Sequence, residues 1–224
     1  YNDKYSCYVN LKGSAPGTTK ASGDNVNMPE CEFLYGGGFA GPVVGNTVVR
    51  LGNGRVFGSF GGSCDADILG HTETYVGYRH NVEDQSGTVT GQVDGFPWIR
   101  DIIYGGNDLG GKIKGTKSFS GTDYLRTETN GKRHSTDVLT ASSYVEYRQG
   151  RADAIFGGSC GTYDYGTSGY NRTLDKKPYI DNAFVNFRPT SSDLLKNPEK
   201  KNVGDLVYGG SQGYPGDFDS NKIQ

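Results

Sequence analysis

The sequence predicts an all-β fold: a right-handed parallel β-helix, or solenoid, of about five irregular coils with long loop insertions. Two observations lead to this prediction. A large apolar or aromatic residue runs into a pair of glycines five times, and alternating segments follow four of these pairs. Such internal repetition indicates one supersecondary unit that is copied and stacked. The spacing of the pairs is irregular, which a solenoid tolerates because insertions map to its loops.

The first strand of each unit ends in an aromatic residue that directly precedes the two glycines. These residues are Tyr35, Phe60, Tyr104, Phe156 and Tyr208. Equivalent residues of successive coils stack about 4.8 Å apart, so the five rings are expected to form a ladder in the interior. The glycines allow the chain to turn a tight corner with φ values that other residues avoid.

The second strand of each unit is predicted from period-two alternation. It occurs at residues 45–51, 70–76, 143–148 and 183–188. Alternation of apolar and polar residues indicates a strand with one buried face, and these segments are rich in the β-branched and aromatic residues that favour strands. Long insertions at 77–101, 116–142 and 161–181 separate the units.

Composition limits the classes of function. The chain has 224 residues, 36 glycines, 16 tyrosines and a net charge of −2, so nothing indicates nucleic-acid binding. It has no apolar run long enough to span a membrane. We expect an N-terminal segment at 1–32 and repeats at 33–224, in a chain that is processed or part of a longer one.

The sequence does not decide whether one pair of its four cysteines forms a disulfide bond. Cys7 and Cys31 flank the first segment and either pair or stay reduced. Cys64 and Cys160 fall at the same place in the second and fourth units, with Asp108 at that place in the third. Stacking would put those two cysteines about 9–10 Å apart, beyond the roughly 7 Å that a disulfide allows between Cα atoms. We therefore predict no bond between them.

Three acidic residues are the candidates for metal binding or catalysis. Asp65 and Asp67 follow a Gly-Gly-Ser-Cys sequence, and Asp108 is aligned one unit later. Carboxylates on a loop are typical calcium ligands, and a pair of carboxylates at a defined separation is what glycosidic cleavage needs. The alternative is structural, because Asp favours turns by bonding its own backbone. Apart from calcium, no cofactor is predicted.

Tyrosines crowd the fourth insertion and form the candidate binding site. They are Tyr163, Tyr165, Tyr170 and Tyr179. Exposed aromatic rings beside Asp and Asn would suit stacking on sugar rings, while packing of the loop against the repeats is the structural alternative.

Several segments resemble the repeats of large Gly-rich surface proteins from Bacteroidetes-type bacteria. They are residues 45–49, 103–111 and 155–159, and the likeness extends over about 33–216. The resemblance implies an adhesin-like parallel β-helix that is extracellular or on the outer cell surface. It is a likeness of repeat style and carries no catalytic signature.

The sequence leaves three functions open. The first is a non-enzymatic cell-surface or secreted module for adhesion, scaffolding or glycan binding, with a surface glycan or protein as partner. The second is a carbohydrate-active enzyme, either a polysaccharide lyase or a glycoside hydrolase, that uses Asp65, Asp67 and Asp108. The third is a subunit of an outer-membrane assembly. The first is the one that we expect, because no residue constellation identifies a reaction.

Overall fold

The structure is a computed structural model that describes residues 6–13, 29–84, 86–115, 142–161, 178–180, 182–187 and 203–212. These ranges contain thirteen strands and no helix. The strands are β1 (Cys7–Leu11), β2 (Glu30–Tyr35), β3 (Thr47–Leu51), β4 (Arg55–Phe60), β5 (Thr72–Val76), β6 (His80–Glu83), β7 (Val89–Val93), β8 (Trp98–Ile99), β9 (Ile102–Tyr104), β10 (Ser142–Tyr147), β11 (Ala152–Phe156), β12 (Asn182–Phe187) and β13 (Val203–Tyr208).

The strands form two parallel sheets and one hairpin. Sheet A has the order β1-β3-β5-β10-β12, and sheet B has the order β13-β11-β9-β4-β2, with β8 also paired to β4. Strands β6 and β7 pair antiparallel within the insertion at 77–101. The two strands of each repeat therefore belong to different sheets. Strand β1, from the predicted N-terminal segment, pairs in register with β3.

The prediction of a single right-handed parallel β-helix is wrong. The chain is rich in strands and its large sheets are parallel, but the strands are arranged in separate sheets rather than in one solenoid. A Gly-Gly bend divides the strands of each repeat, and those strands then pair with their equivalents in two different sheets. The insertion at 77–101 adds an antiparallel pair of its own.

The main hydrophobic core joins the two sheets. From sheet A it takes Val49, Leu51, Val76, Val145 and Tyr147, and from sheet B it takes Leu34, Val56, Ile99, Ile103, Ala152 and Ile155, among others. Most of these side chains are fully buried. In three repeats of sheet B a core residue comes immediately before the aromatic residue: Leu34 before Tyr35, Ile103 before Tyr104 and Ile155 before Phe156.

The five aromatic residues stack as expected, but outside the main core. Successive ring centroids from Tyr35 to Tyr208 are 4.8, 5.1, 5.4 and 4.7 Å apart, with interplanar angles of 8 to 17°. Phe60, Tyr104 and Phe156 of the stack form a second buried cluster with Ala154 and Cys160, and Tyr35 packs against it. Core residues of β11 are three positions apart, at Ala152 and Ile155, and the pairing of β11 with β13 shifts between Ala152 and Ala154. The strand thus turns a different face to the core along its length.

Candidate functional site

Asp67 is neutralised by a lysine on the neighbouring loop. Its carboxylate lies 2.6 Å from Lys114 Nζ and accepts a 2.8 Å hydrogen bond from the backbone N–H of Lys112. The hydrogen bond from Lys114 is the main reason why the pKa of Asp67 is lowered from its usual value of 3.8. A carboxylate held in this way stabilises the junction between two loops, and its charge is already balanced.

Asp108 is buried against the aromatic stack. It is 1% exposed, and its Oδ2 accepts a 2.9 Å hydrogen bond from the hydroxyl of Tyr35. Its backbone N–H donates to Ser63. Buried polar groups need such partners, because an unmet hydrogen bond costs about 1–3 kcal/mol. The geometry gives Asp108 a structural role that the sequence could not show.

Asp65 is half-buried. Its backbone N–H donates to Phe39, and it forms a parallel bridge with Gly110. Within the described part of the chain, no three His, Cys, Asp or Glu side chains are grouped so that they could hold a metal ion. Calcium binding by Asp65, Asp67 and Asp108 stays a prediction. All four cysteines are free thiols.

Of the predicted tyrosine site, the structure describes one residue. Tyr163, Tyr165 and Tyr170 lie outside the described residues. Tyr179 is 55% exposed, and its backbone is fixed by hydrogen bonds with Gly111 and Ile113 of 3.1 and 3.0 Å. It therefore presents an aromatic ring to solvent from an anchored backbone.

The sequence analysis missed a cluster of ionisable side chains on the face of sheet A that points away from the main core. This outer-face cluster consists of His71, Glu73, Tyr75, Tyr144, Glu146 and Arg148. Parallel pairing places Glu73 beside Tyr144 and Tyr75 beside Glu146. The two glutamates are therefore diagonal neighbours on adjacent strands. The spacing of residues along a strand and of strands within a sheet puts their Cα atoms roughly 8 Å apart.

Each glutamate of the outer-face cluster has a tyrosine and a basic side chain as partners. Glu73 accepts from the Tyr75 hydroxyl and lies 3.4 Å from His71 Nε2. Glu146 accepts from the Tyr144 hydroxyl at 2.9 Å and from Arg148 Nε at 2.6 Å.

The outer-face cluster is built as a structural network. Both carboxylates are almost completely buried, at 2% and 0% exposure, so they are closed to a substrate. Alternation of apolar and polar residues predicts one buried face for each strand, so it does not predict that the polar positions Glu73 and Glu146 are buried as well. The signal that was available is the exchange of Glu and Tyr between Glu73-Thr74-Tyr75 and Tyr144-Val145-Glu146, which becomes complementary only when the two strands pair.

The open edge of sheet B is the second feature that the sequence analysis did not locate. We use this name for the unpaired side of β13 together with residues 209–212. Among the described residues, no strand pairs with β13 beyond β11. Leu206, Val207 and Tyr208 are 47%, 46% and 43% exposed. The equivalent Ile103 and Tyr104 of β9 are 0% and 3% exposed.

Sheet A ends in a similar way next to the open edge. Its last strand, β12, pairs only with β10 among the described strands. Phe187 of β12 stacks on Tyr147 with a centroid distance of 5.0 Å but is 43% exposed. Among the described strands, both sheets thus leave apolar side chains uncovered at their last strands, β12 and β13.

No protein-family model, curated protein or solved structure matches this chain. In the parts that the structure describes, no helix is long and apolar enough to span a membrane.

Proposed function

We propose that this protein is a non-enzymatic scaffold or adhesion module that binds an extended polypeptide segment by strand addition at the open edge. The observation that carries the proposal is the exposure of Val207 and Tyr208. Their equivalents in β9 and β11 are almost fully buried, so two residues of core type lie in contact with solvent. An edge strand presents unpaired N–H and C=O groups that can pair with another chain.

The apolar character of the open edge supports a binding role. Sheet edges in monomeric proteins are commonly protected by charges, prolines or bulges. Three consecutive large apolar side chains, Leu206, Val207 and Tyr208, instead are nearly half exposed here. Contiguous exposed apolar surface is typical of interaction sites.

The placement of the candidate acids supports a non-enzymatic protein over a carbohydrate-active enzyme. A glycosidase needs one carboxylic acid and one carboxylate on either side of the scissile bond. Asp67 is paired with Lys114, and Asp108 is buried beneath the Tyr35 hydroxyl. The two glutamates of the outer-face cluster are buried as well.

The location of the protein remains part of this proposal. The resemblance of its repeats to Gly-rich bacterial surface proteins favours secretion or the outer cell surface. A subunit of an outer-membrane assembly could use the same open edge to contact its neighbour, so the edge supports either version of a scaffold.

Selection from a phage-displayed library of random 12-residue peptides tests the proposal. Within the described residues nothing lies within 4 Å of a Cβ built on Gly209, so we expect Gly209→Val to fold while its side chain occupies the space above the edge. Gly91→Val is the matched control, because Gly91 is also exposed and open but lies in β7. We expect peptides that bind the wild type and Gly91→Val but not Gly209→Val. Failure to select any peptide with this dependence would refute strand addition.

Glycan binding at Tyr179 is the second candidate function. An exposed ring on an anchored backbone suits stacking on a sugar face, and the tyrosines at 163, 165 and 170 lie in the same insertion. A glycan array probed with the wild type and with Tyr179→Ala tests this role. Signals that the substitution removes would support it, whereas identical arrays would exclude Tyr179 from the binding site.

A further inference from the structure

We infer that the open edge selects a parallel strand of defined sequence: an aromatic residue, two glycines and then serine or asparagine. This inference rests on the proposed function and specifies the partner. It follows from how each strand of sheet B receives the next one. The same three contacts recur between successive repeats, and β13 presents its half of each contact to solvent.

The first contact is ring stacking. Each aromatic side chain from Tyr35 to Phe156 stacks on that of the next repeat, and the series ends at Tyr208. Phe156 covers one face of Tyr208 at a centroid distance of 4.7 Å, while Tyr208 as a whole is 43% exposed. An incoming aromatic residue would continue the stack, and such pairs gain energy beyond the area that they bury.

The second contact is the close approach of backbone to the glycine pair. A Cβ on Gly36, Gly61, Gly105 or Gly157 would overlap the carbonyl oxygen of the equivalent glycine in the next repeat. A Cβ on Gly209 would meet none of the described residues within 4 Å. Gly209 therefore leaves room for the carbonyl group of an incoming strand that is in the same register.

The third contact is a hydrogen bond from the backbone to a side chain of the next repeat. Ser63 N–H donates to Asn107 Oδ1 at 2.8 Å, Asn107 N–H to Ser159 Oγ at 3.0 Å, and Ser159 N–H to Ser211 Oγ at 3.0 Å. Ser211 is exposed and stands at the same position of the last repeat. A serine or asparagine three residues after the incoming aromatic residue would accept from its N–H.

The glycine before each of these positions provides space for the accepting side chain. A Cβ on Gly62 would overlap Asn107 Oδ1, and a Cβ on Gly106 would overlap Ser159 Oγ. A Cβ on Gly210 meets no atom within 4 Å in the part of the chain that the structure describes. The open edge therefore has space for the side-chain oxygen of an incoming serine or asparagine, and the backbone N–H of Ser211 can donate a hydrogen bond to that oxygen.

The third contact also distinguishes a foreign segment from a second copy of this chain. Among the described strands, the edge at the other end of sheet B is β2, whose sequence continues as Tyr35-Gly36-Gly37-Gly38. Gly38 has no side-chain acceptor for the Ser211 N–H. Head-to-tail association through β2 would therefore lack one of the three contacts, and we assign the edge to a partner that carries Ser or Asn.

Fluorescence anisotropy with labelled ten-residue peptides tests the inference. The parent peptide has the sequence of residues 152–161 with Cys160→Ala. One variant peptide adds Ser159→Ala and another adds Phe156→Leu. We expect the Ser159→Ala peptide to bind about 3- to 10-fold more weakly, from the energy of one hydrogen bond. We expect a loss of similar size from Phe156→Leu, which removes a ring stack. Gly209→Val on the protein should abolish binding of the parent peptide, while Gly91→Val should not.

The outcomes separate this inference from the proposed function. Equal binding of the parent and Ser159→Ala peptides, or no binding of the parent, overturns the inferred sequence. Library peptides that still depend on Gly209 would then leave strand addition in place. Concentration-dependent self-association of the protein that Gly209→Val abolishes, measured by sedimentation velocity, would assign the edge to a second copy and overturn the inferred partner.

Discussion

Two glycines that the repeat makes equivalent are expected to respond in opposite ways to alanine. Gly105 lies in the middle of sheet B, and Gly209 lies at its open edge. A Cβ on Gly105 would overlap the carbonyl oxygen of Gly157, and it would be 3.1 Å from the Gly157 carbonyl carbon and 2.8 Å from Val145 Cγ2. Carbon atoms pack at about 3.5–4.0 Å, so the neighbouring strand must move by roughly 0.5–1 Å.

The magnitude follows from three contributions. Overpacking of a buried site costs about 1–3 kcal/mol. Movement of the strand also weakens the 2.9 Å hydrogen bond from Gly105 N–H to Phe156, and one such bond contributes about 0.5–1.5 kcal/mol. Replacing glycine returns about 0.4–1 kcal/mol by restricting the unfolded chain. The balance lowers the free energy of unfolding of Gly105→Ala by about 0.5–4 kcal/mol, with a central value of about 2 kcal/mol.

For Gly209→Ala, only the restriction of the unfolded chain contributes to the change in stability. No described residue lies within 4 Å of its Cβ position, and its φ is not among the positive values that disfavour alanine. We therefore expect a change between zero and about 1 kcal/mol in the stabilising direction. Urea denaturation followed by circular dichroism, with linear extrapolation to water, measures both variants. Equal stabilities for the two would refute the close approach of the strands at Gly105.

Three further predictions concern polar contacts. Tyr35→Phe removes the hydroxyl from buried Asp108 and should cost about 1–3 kcal/mol in the same denaturation assay; a neutral result would show that the contact is dispensable. Lys114→Gln should raise the pKa of Asp67, which NMR titration of its carboxyl carbon would report. Because the folded-state pKa of Asp67 is depressed, its contribution to stability is present above pH 3.8 and is lost as the pH falls through the lower folded-state pKa. An unchanged pKa of Asp67 in the Lys114→Gln variant would exclude the lysine as the cause of the depression. Arg148→Ala removes the guanidinium from the fully buried carboxylate of Glu146 and should lower the free energy of unfolding by about 3 kcal/mol. An exposed ion pair contributes only about 0–1 kcal/mol. A loss within that smaller range would mean that solvent reaches the Glu146 carboxylate.

The local elements could be predicted from the sequence, because strand patterns depend on near neighbours. The alternating segments form β3, β5, β10 and β12, and the segments before the glycine pairs form β2, β4, β9, β11 and β13. The arrangement of those strands could not be predicted in the same way. A single solenoid and two separate parallel sheets use the same local patterns, and pairing between distant strands decides between them.

The functional residues were harder to predict than the strands. A carboxylate on a Gly-rich loop has the same local sequence whether it binds calcium or an adjacent lysine, and the position of Lys114 relative to Asp67 is set by the bridges between Ile68 and Ile113. The outer-face cluster was missed for the same reason. Glu73 and Glu146 acquire their partners from strands that are distant in sequence.

The sequence by itself determined the repeat, the positions of the strands before and after the glycine pairs and the order in which the aromatic rings stack, because each depends on residue type and on spacing along the chain. The tertiary structure alone decided that the stack packs outside the main core and that Asp108 is buried. It also decided that Gly105 is enclosed while Gly209 is open. These differences arise because burial depends on what lies across a sheet, and two residues with identical neighbours in sequence can have a strand or solvent there.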